Sequence, residues 1–142
     1  MKINVFNLQK KYWVNEKKLR KLLKNLINFY NLKNVEITLA LVDNKTIKKL
    51  NKKFLKRDYP TDVLSFPINE NTIEGTYYLG DIIISVPQAF NQCFKLNHGL
   101  GREIEILTIH GFLHLIGYDH ETDKGEMRKE EEKLQRNFLK IE

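Results

Sequence analysis

The sequence predicts one domain, spanning residues 1–142, that mixes helices and strands. Three observations lead there. Segments whose apolar residues recur every three or four positions alternate with short runs of β-branched and aliphatic residues. A length of 142 residues fits one compact core, and no repeat, linker or low-complexity segment divides it. Apolar residues make up 42% and charged residues 30%, the balance of an ordinary globular chain.

Lys2 to Leu8 alternates polar and apolar residues and predicts a first strand with Ile3, Val5 and Leu8 inward. Asn15 supplies a capping oxygen for a helix whose Leu19, Leu22, Leu23, Leu26, Ile27 and Tyr30 share a face. Val35 to Val42 predicts a second strand. Asp43 or Asn44 then starts another helix, with Ile47, Leu50 and Phe54 inward. Pro60 ends that unit. Val63 to Phe66 reads as a short strand closed by Pro67, and Asn69 to Gly75 as a polar loop. Tyr77 to Ser85, with Leu79 and Ile82-Ile83-Ile84, suits a strand buried on both faces. Pro87 fits a first helical turn and opens a helix toward Leu96, which Asn97-His98-Gly99 breaks. Arg102 to Ile116 is apolar nearly all round and predicts a central buried helix, ended by Gly117 in a positive-φ turn. Asp123 and Glu126 have capping-box spacing for a last helix with Met127, Leu134 and Phe138 inward.

The net charge is +6, unevenly placed. Residues 1–60 carry 16 Lys/Arg against 4 Asp/Glu, a balance of +12, and residues 61–142 carry 8 against 14, a balance of −6. Such asymmetry suggests an anionic partner for one face. Nineteen of the 24 basic residues are lysine, and Asn and Ile reach 14 each, so an AT-rich coding bias competes with that reading. A single cysteine, Cys93, permits no internal disulfide and no cysteine zinc site, and reads as a packing residue in a reducing compartment. Residues 1–7 lack the apolar core of a signal peptide, and the longest apolar runs are too short to span a bilayer. A cytoplasmic protein without a membrane partner is expected.

Three of the four histidines fall within eleven residues, at His110, His114 and His120. On a helix, positions 110 and 114 share a face one turn apart, so two imidazoles can converge on one cation. Gly117 lets the chain turn so that His120 returns as a third ligand. This is the H-x-x-x-H-x-x-G-x-x-H spacing of metzincin zinc sites, which leaves one coordination position for water. Imidazole ligands suit zinc best, one ion per chain, although nickel and copper also accept them. Metzincins place a glutamate directly after the first histidine as general base. Gly111 stands there instead and cannot accept a proton, which disfavours peptide hydrolysis. Metal-assisted phosphodiester hydrolysis needs no base at that position.

At these residues the chain resembles a known family. The string HGFLHLIGYDHE is similar to the signature of the YbeY endoribonucleases. Pro60-Thr61-Asp62-Val63-Leu64-Ser65-Phe66-Pro67 resembles their P-T-D/N-V-L-S-F-P segment. Leu79-Gly80-Asp81-Ile82 with Ser85 resembles the L-G-D-I-x-I-S strand, and Arg102-Glu103 the R-E pair before the metal helix. The resemblance implies an α+β fold with a central four-stranded mixed sheet, about five helices, and zinc held by His110, His114 and His120. It also implies single-strand-specific cleavage of RNA, in maturing the 3′ end of small-subunit ribosomal RNA and in ribosome quality control. The implied partners are ribosomal RNA and the small ribosomal subunit, with no DNA. The family's usual arginine, five positions before the P-T-D/N segment, is Leu55 here, after Phe54. Lys56 or Arg57 stands near enough in sequence to reach the same space.

The basic stretch entering that segment, Lys48, Lys49, Lys52, Lys53, Lys56 and Arg57, is the expected RNA-backbone contact. Lys17 to Lys24 reads equally well as RNA footprint or solvated face. Tyr77 and Tyr78 are expected to pack in a strand rather than stack bases, and Asp81 to have a structural partner. Asp119 either orients a ligand imidazole or caps the turn. His98 is expected to be no ligand, and Glu130-Glu131-Glu132 to form a solvated helix face. No catalytic side chain is assigned. Two further functions compete with a zinc endoribonuclease: a ribosome-associated binding factor with a mainly structural zinc, motivated by Leu55, and a metalloprotease, opposed by Gly111.

Overall fold

The structure is a computed structural model describing residues 1–119 and 123–139. Chain order is β1 (Lys2–Asn7), α1 (Glu16–Phe29), β2 (Val35–Val42), α2 (Asn44–Leu55), β3 (Val63–Asn71), β4 (Tyr77–Ser85), α3 (Val86–Cys93), α4 (Leu100–Leu115) and α5 (Glu126–Phe138). The strands form one mixed sheet in the order β1-β2-β4-β3. β1 and β4 run parallel to β2, and β3 runs antiparallel to β4. The α+β expectation of four strands and five helices holds for the described residues.

Local chemistry sets the helix starts. Asn15 caps α1 by accepting from the Lys18 amide at 3.2 Å. Asp43, rather than Asn44, caps α2 and accepts from the Thr46 amide at 2.8 Å. Ser85 caps α3, with proline in its first turn. α5 departs from a simple capping box. Its cap residue is Gly125, and Asp123 accepts from the Met127 amide at 2.9 Å rather than from Glu126.

The period of two in β2 divides the core. Ile37, Leu39 and Leu41 join α1, α3, α4 and α5 in the main cluster, whereas Val42 packs with Ile47 of α2 and Leu64 of β3 on the other face. α4 is the most enclosed helix: Ile109, Phe112 and Leu113 are fully buried. Burying each such side chain is worth about 1.5–3 kcal/mol, so α4 is a rigid base for whatever it carries.

Three expectations fail for identifiable reasons. Leu8 is 66% exposed, because Ile3 and Val5 set an odd-numbered inward face and residue 8 falls on the other side. Phe54 is 55% exposed and meets Phe66 edge-on at 5.3 Å, where α2 overhangs the sheet. β3 does not stop at Pro67 but continues to Asn71, which removes most of the expected loop. Pro67 is tolerated because β3 is an edge strand, with a register shift between Pro67 and Glu70. As for membranes, no described helix is long and apolar enough to cross one.

Candidate active site

His110 and His114 lie on the last two turns of α4, where the helix packs on β3 and β4. Their spacing of four places the rings side by side, with centroids 4.8 Å apart and planes at 72°. Both line a cleft of about 250 Å³ that also takes in Asn51, Leu55, Arg57, Tyr59, Thr61 and Ser65. One wall is therefore the histidine helix. The other is the end of α2 and the segment that leads into β3.

Close packing holds the histidine wall in place. A Cβ on Gly111 would stand 2.7 Å from Ile82 Cγ2 and 3.1 Å from Ser65 Oγ. The position that bears the metzincin base is thus pressed against the sheet and has no room for a glutamate. After His114, the last carbonyls of α4 bond to the amides of Ile116 to Tyr118, and Gly117 takes φ 111°. His120, the third expected ligand, lies outside the described residues. Among the described residues no set of three potential ligands converges, so the histidine pair is as far as the geometry reaches.

The Nδ1–H of His110 donates to the carboxylate of Glu131 on α5. This corrects the expectation of a solvated Glu130-Glu131-Glu132 face. Glu130 also has a partner, accepting from the Tyr30 hydroxyl, and only Glu132 is largely exposed. Burial and Glu130 together push the Tyr30 hydroxyl far above its ordinary range. The signal for Glu131 was present in the sequence. Met127 and Leu134 define the inward face of α5, and position 131 falls between them on that face. A carboxylate on an apolar stripe requires a partner.

The basic residues divide into two groups. Arg57 lines the cleft with the histidines. Lys48, Lys49, Lys52, Lys53 and Lys56 are exposed and do not line it. Lys48 and Lys52 approach Asp58 at 4.0 and 3.9 Å, and Lys53 lies over the Phe54 ring at 5.3 Å. Leu55, at the position of the family's usual arginine, and Arg57, two residues later, both line the cleft.

Asn51 escaped the sequence reading. It is 1% exposed, its Nδ2 donates to the Tyr59 carbonyl at 2.9 Å, and its Oδ1 has no partner among the described residues. It pins the α2–β3 connection that carries Arg57 toward the cleft. Further along α4, Glu103 is buried and accepts from Gln92 and from His98 Nε2, the latter at 2.6 Å. Gln92 also donates to Asp62 at 3.0 Å, so α3, α4 and the start of β3 share one polar junction. His98 is thus bonded to a buried carboxylate. On the opposite sheet face Tyr78 donates to Asp81 at 2.5 Å, which supplies the structural partner expected for Asp81.

The profile of the family described as Endoribonuclease YbeY matches residues 4–139. The chain belongs to the YbeY family. Endoribonuclease YbeY of Caldicellulosiruptor saccharolyticus is 40% identical over 148 residues, covering 93% of this chain and 94% of that protein. The Helicobacter pylori protein of the same name is 49% identical over 102 residues, covering 72% and 71%. The solution structure of TM1509 from Thermotoga maritima shares the fold, with a TM-score of 0.62, 30% identity, and coverage of 93% and 85%. YbeY relatives are endoribonucleases by name, and a phosphodiester-cleaving hydrolase is the activity that the family assigns here.

Proposed function

We propose that this YbeY protein is a zinc-dependent, single-strand-specific endoribonuclease that hydrolyses ribosomal RNA in the α4–β3 cleft. Maturation of the 3′ end of small-subunit ribosomal RNA and ribosome quality control would be its settings, in the cytoplasm. The observation that carries the reading is the paired His110 and His114 rings in one cleft with Arg57.

The donor set fits zinc. With Nδ1 of His110 bonded to Glu131, Nε2 is the nitrogen that would coordinate, and a carboxylate behind a ligand imidazole is a recurrent arrangement at zinc sites. His110, His114 and His120 would hold the ion. When bound, zinc lowers the pKa of a water toward about 7 and offsets charge on the scissile phosphate. Arg57 would hold a phosphate oxygen pair from the opposite wall, as its planar fork suits. The tight contact at Gly111 would hold His110 and His114 at a fixed height above β3. The outer lysines of α2 would act at longer range, steering the polyanion to the cleft.

The deciding experiment is elemental analysis paired with RNA cleavage by the wild type and His114→Ala. Stoichiometric zinc and cleavage in the wild type, both lost in a folded His114→Ala, are expected. Cleavage unchanged in the variant would reject the catalytic role of the site.

A further inference from the structure

We propose that Glu131 is the positioning residue of the histidine centre, which makes α5 part of the site although it contributes no ligand. The inference rests on the metal reading above and adds an element that the histidine motif does not contain.

The geometry supplies the argument. Glu131 comes from a helix that begins 16 residues after His110 and meets it through one carboxylate–imidazole bond. That bond selects the tautomer of His110: with Nδ1 protonated and donating, Nε2 carries the lone pair. It also removes rotation about the ring's bond to Cβ, because the carboxylate is held from behind. Met127 and Leu134 are fully buried on either side of Glu131. Tyr30 donates to the neighbouring Glu130, and Phe138 meets Phe29 edge-on at 5.5 Å, so α1 fixes the register of α5. The side chains of Glu131 and His110 are 19% and 25% exposed, enough shelter for the bond to resist competition from water. A carboxylate bonded to Nδ1–H also makes the other ring nitrogen a better donor to a cation.

A role confined to tying α5 to α4 would predict lost stability without lost metal affinity. The test separates the two. Zinc dissociation constants, from competition with a chromophoric chelator, are compared for wild type, Glu131→Ala, Glu131→Gln, Glu132→Gln and His114→Ala, each checked for fold by circular dichroism. Nitrogen NMR of His110 in the zinc-free proteins reports the tautomer. Glu131→Ala should weaken zinc by about 10–100-fold and mix the His110 tautomers. Glu131→Gln keeps an acceptor oxygen and should fall between it and the wild type, and it decides the matter if the alanine variant does not fold. Glu132→Gln should bind as the wild type does.

If His114→Ala loses zinc while both Glu131 variants bind within twofold of the wild type, Glu131 is only a structural tie and the inference is wrong. Weakened zinc with an unchanged His110 tautomer would overturn the positioning role as well. If His114→Ala retains full affinity, the metal reading itself is at fault, and the two failures are told apart.

Discussion

Replacing Gly111 by alanine tests how the histidine helix is seated. In an unencumbered helix interior this change stabilises by about 1 kcal/mol, because alanine is the better helix former. Here the new Cβ would meet Ile82 Cγ2 at 2.7 Å and Ser65 Oγ at 3.1 Å. Carbon atoms pack at about 3.5–4.0 Å, so roughly 1 Å must be found. Ile82 cannot yield it readily. It is fully buried, sits on the central strand β4, and is stiff at χ1. Overpacking of this kind costs about 1–3 kcal/mol, and subtracting the propensity gain of about 1 kcal/mol leaves a net loss of up to about 2 kcal/mol. Urea unfolding measures it, with Gly101→Ala as the control. Gly101 lies on the same helix with nothing within 4 Å of its Cβ position, so that variant should be neutral or up to about 1 kcal/mol more stable. A Gly111→Ala protein stabilised by about 1 kcal/mol over the wild type, the gain expected with no crowding, would refute the close seating of α4 on β4.

The other predictions concern the cleft wall, a cap and a buried phenol. Arg57→Ala should lower kcat/KM for RNA at least about tenfold, the worth of one charged hydrogen bond, while Lys48→Ala and Lys52→Ala, whose lysines lie near Asp58, cost less than threefold. Equal effects at all three would remove Arg57 from the cleft chemistry; RNA affinity that ignores added salt would remove the lysines from RNA binding. Asp43→Ala should destabilise by about 1 kcal/mol at neutral pH. Bonds to Thr46 hold that carboxyl below its ordinary range, so its contribution is present above the unfolded value of about 3.9 and lost as pH falls through the lower folded one. Thermal melts of both proteins should therefore converge in acid, and a constant gap would contradict the cap. Burial, then the bond to Asp81, pushes Tyr78 up to about 12. Its neutral form then contributes stability that is complete below about pH 10 and lost as pH rises through about 12. Tyr78→Phe should flatten the fall in melting temperature over that interval.

Much of the fold is legible in the sequence because its signals are local. Asn15, Asp43 and Ser85 are capping residues by chemistry, and each caps the helix that follows it. Leu8 lies one residue past the end of β1, where the alternation no longer holds, and Phe54 lies inside α2 but where that helix overhangs the sheet, which helical spacing alone does not show. Pro67 was misread because strand proline is excluded only from the sheet interior, and which strand forms the edge is a property of the assembled sheet. The histidine pair was legible because one helical turn converts a spacing of four directly into proximity. That Glu131 needs a partner is legible from its place on the inward face of α5, but which partner is not, because 21 residues separate it from His110 and only the packing of α5 on α4 brings them together.

By itself, then, the sequence determined which segments are helix or strand, which family the chain resembles, and that His110 and His114 share a helical face. Each of these follows from interactions within a few residues or from a motif read in order. Only the tertiary structure decided that Arg57 and not the outer lysines joins the histidines, that Gly111 is closed off by Ile82, and that an acid on α5 holds His110. The reason is physical. A residue's partner across the core depends on how whole elements pack, and packing is chosen by the summed burial of many side chains, which no single spacing encodes.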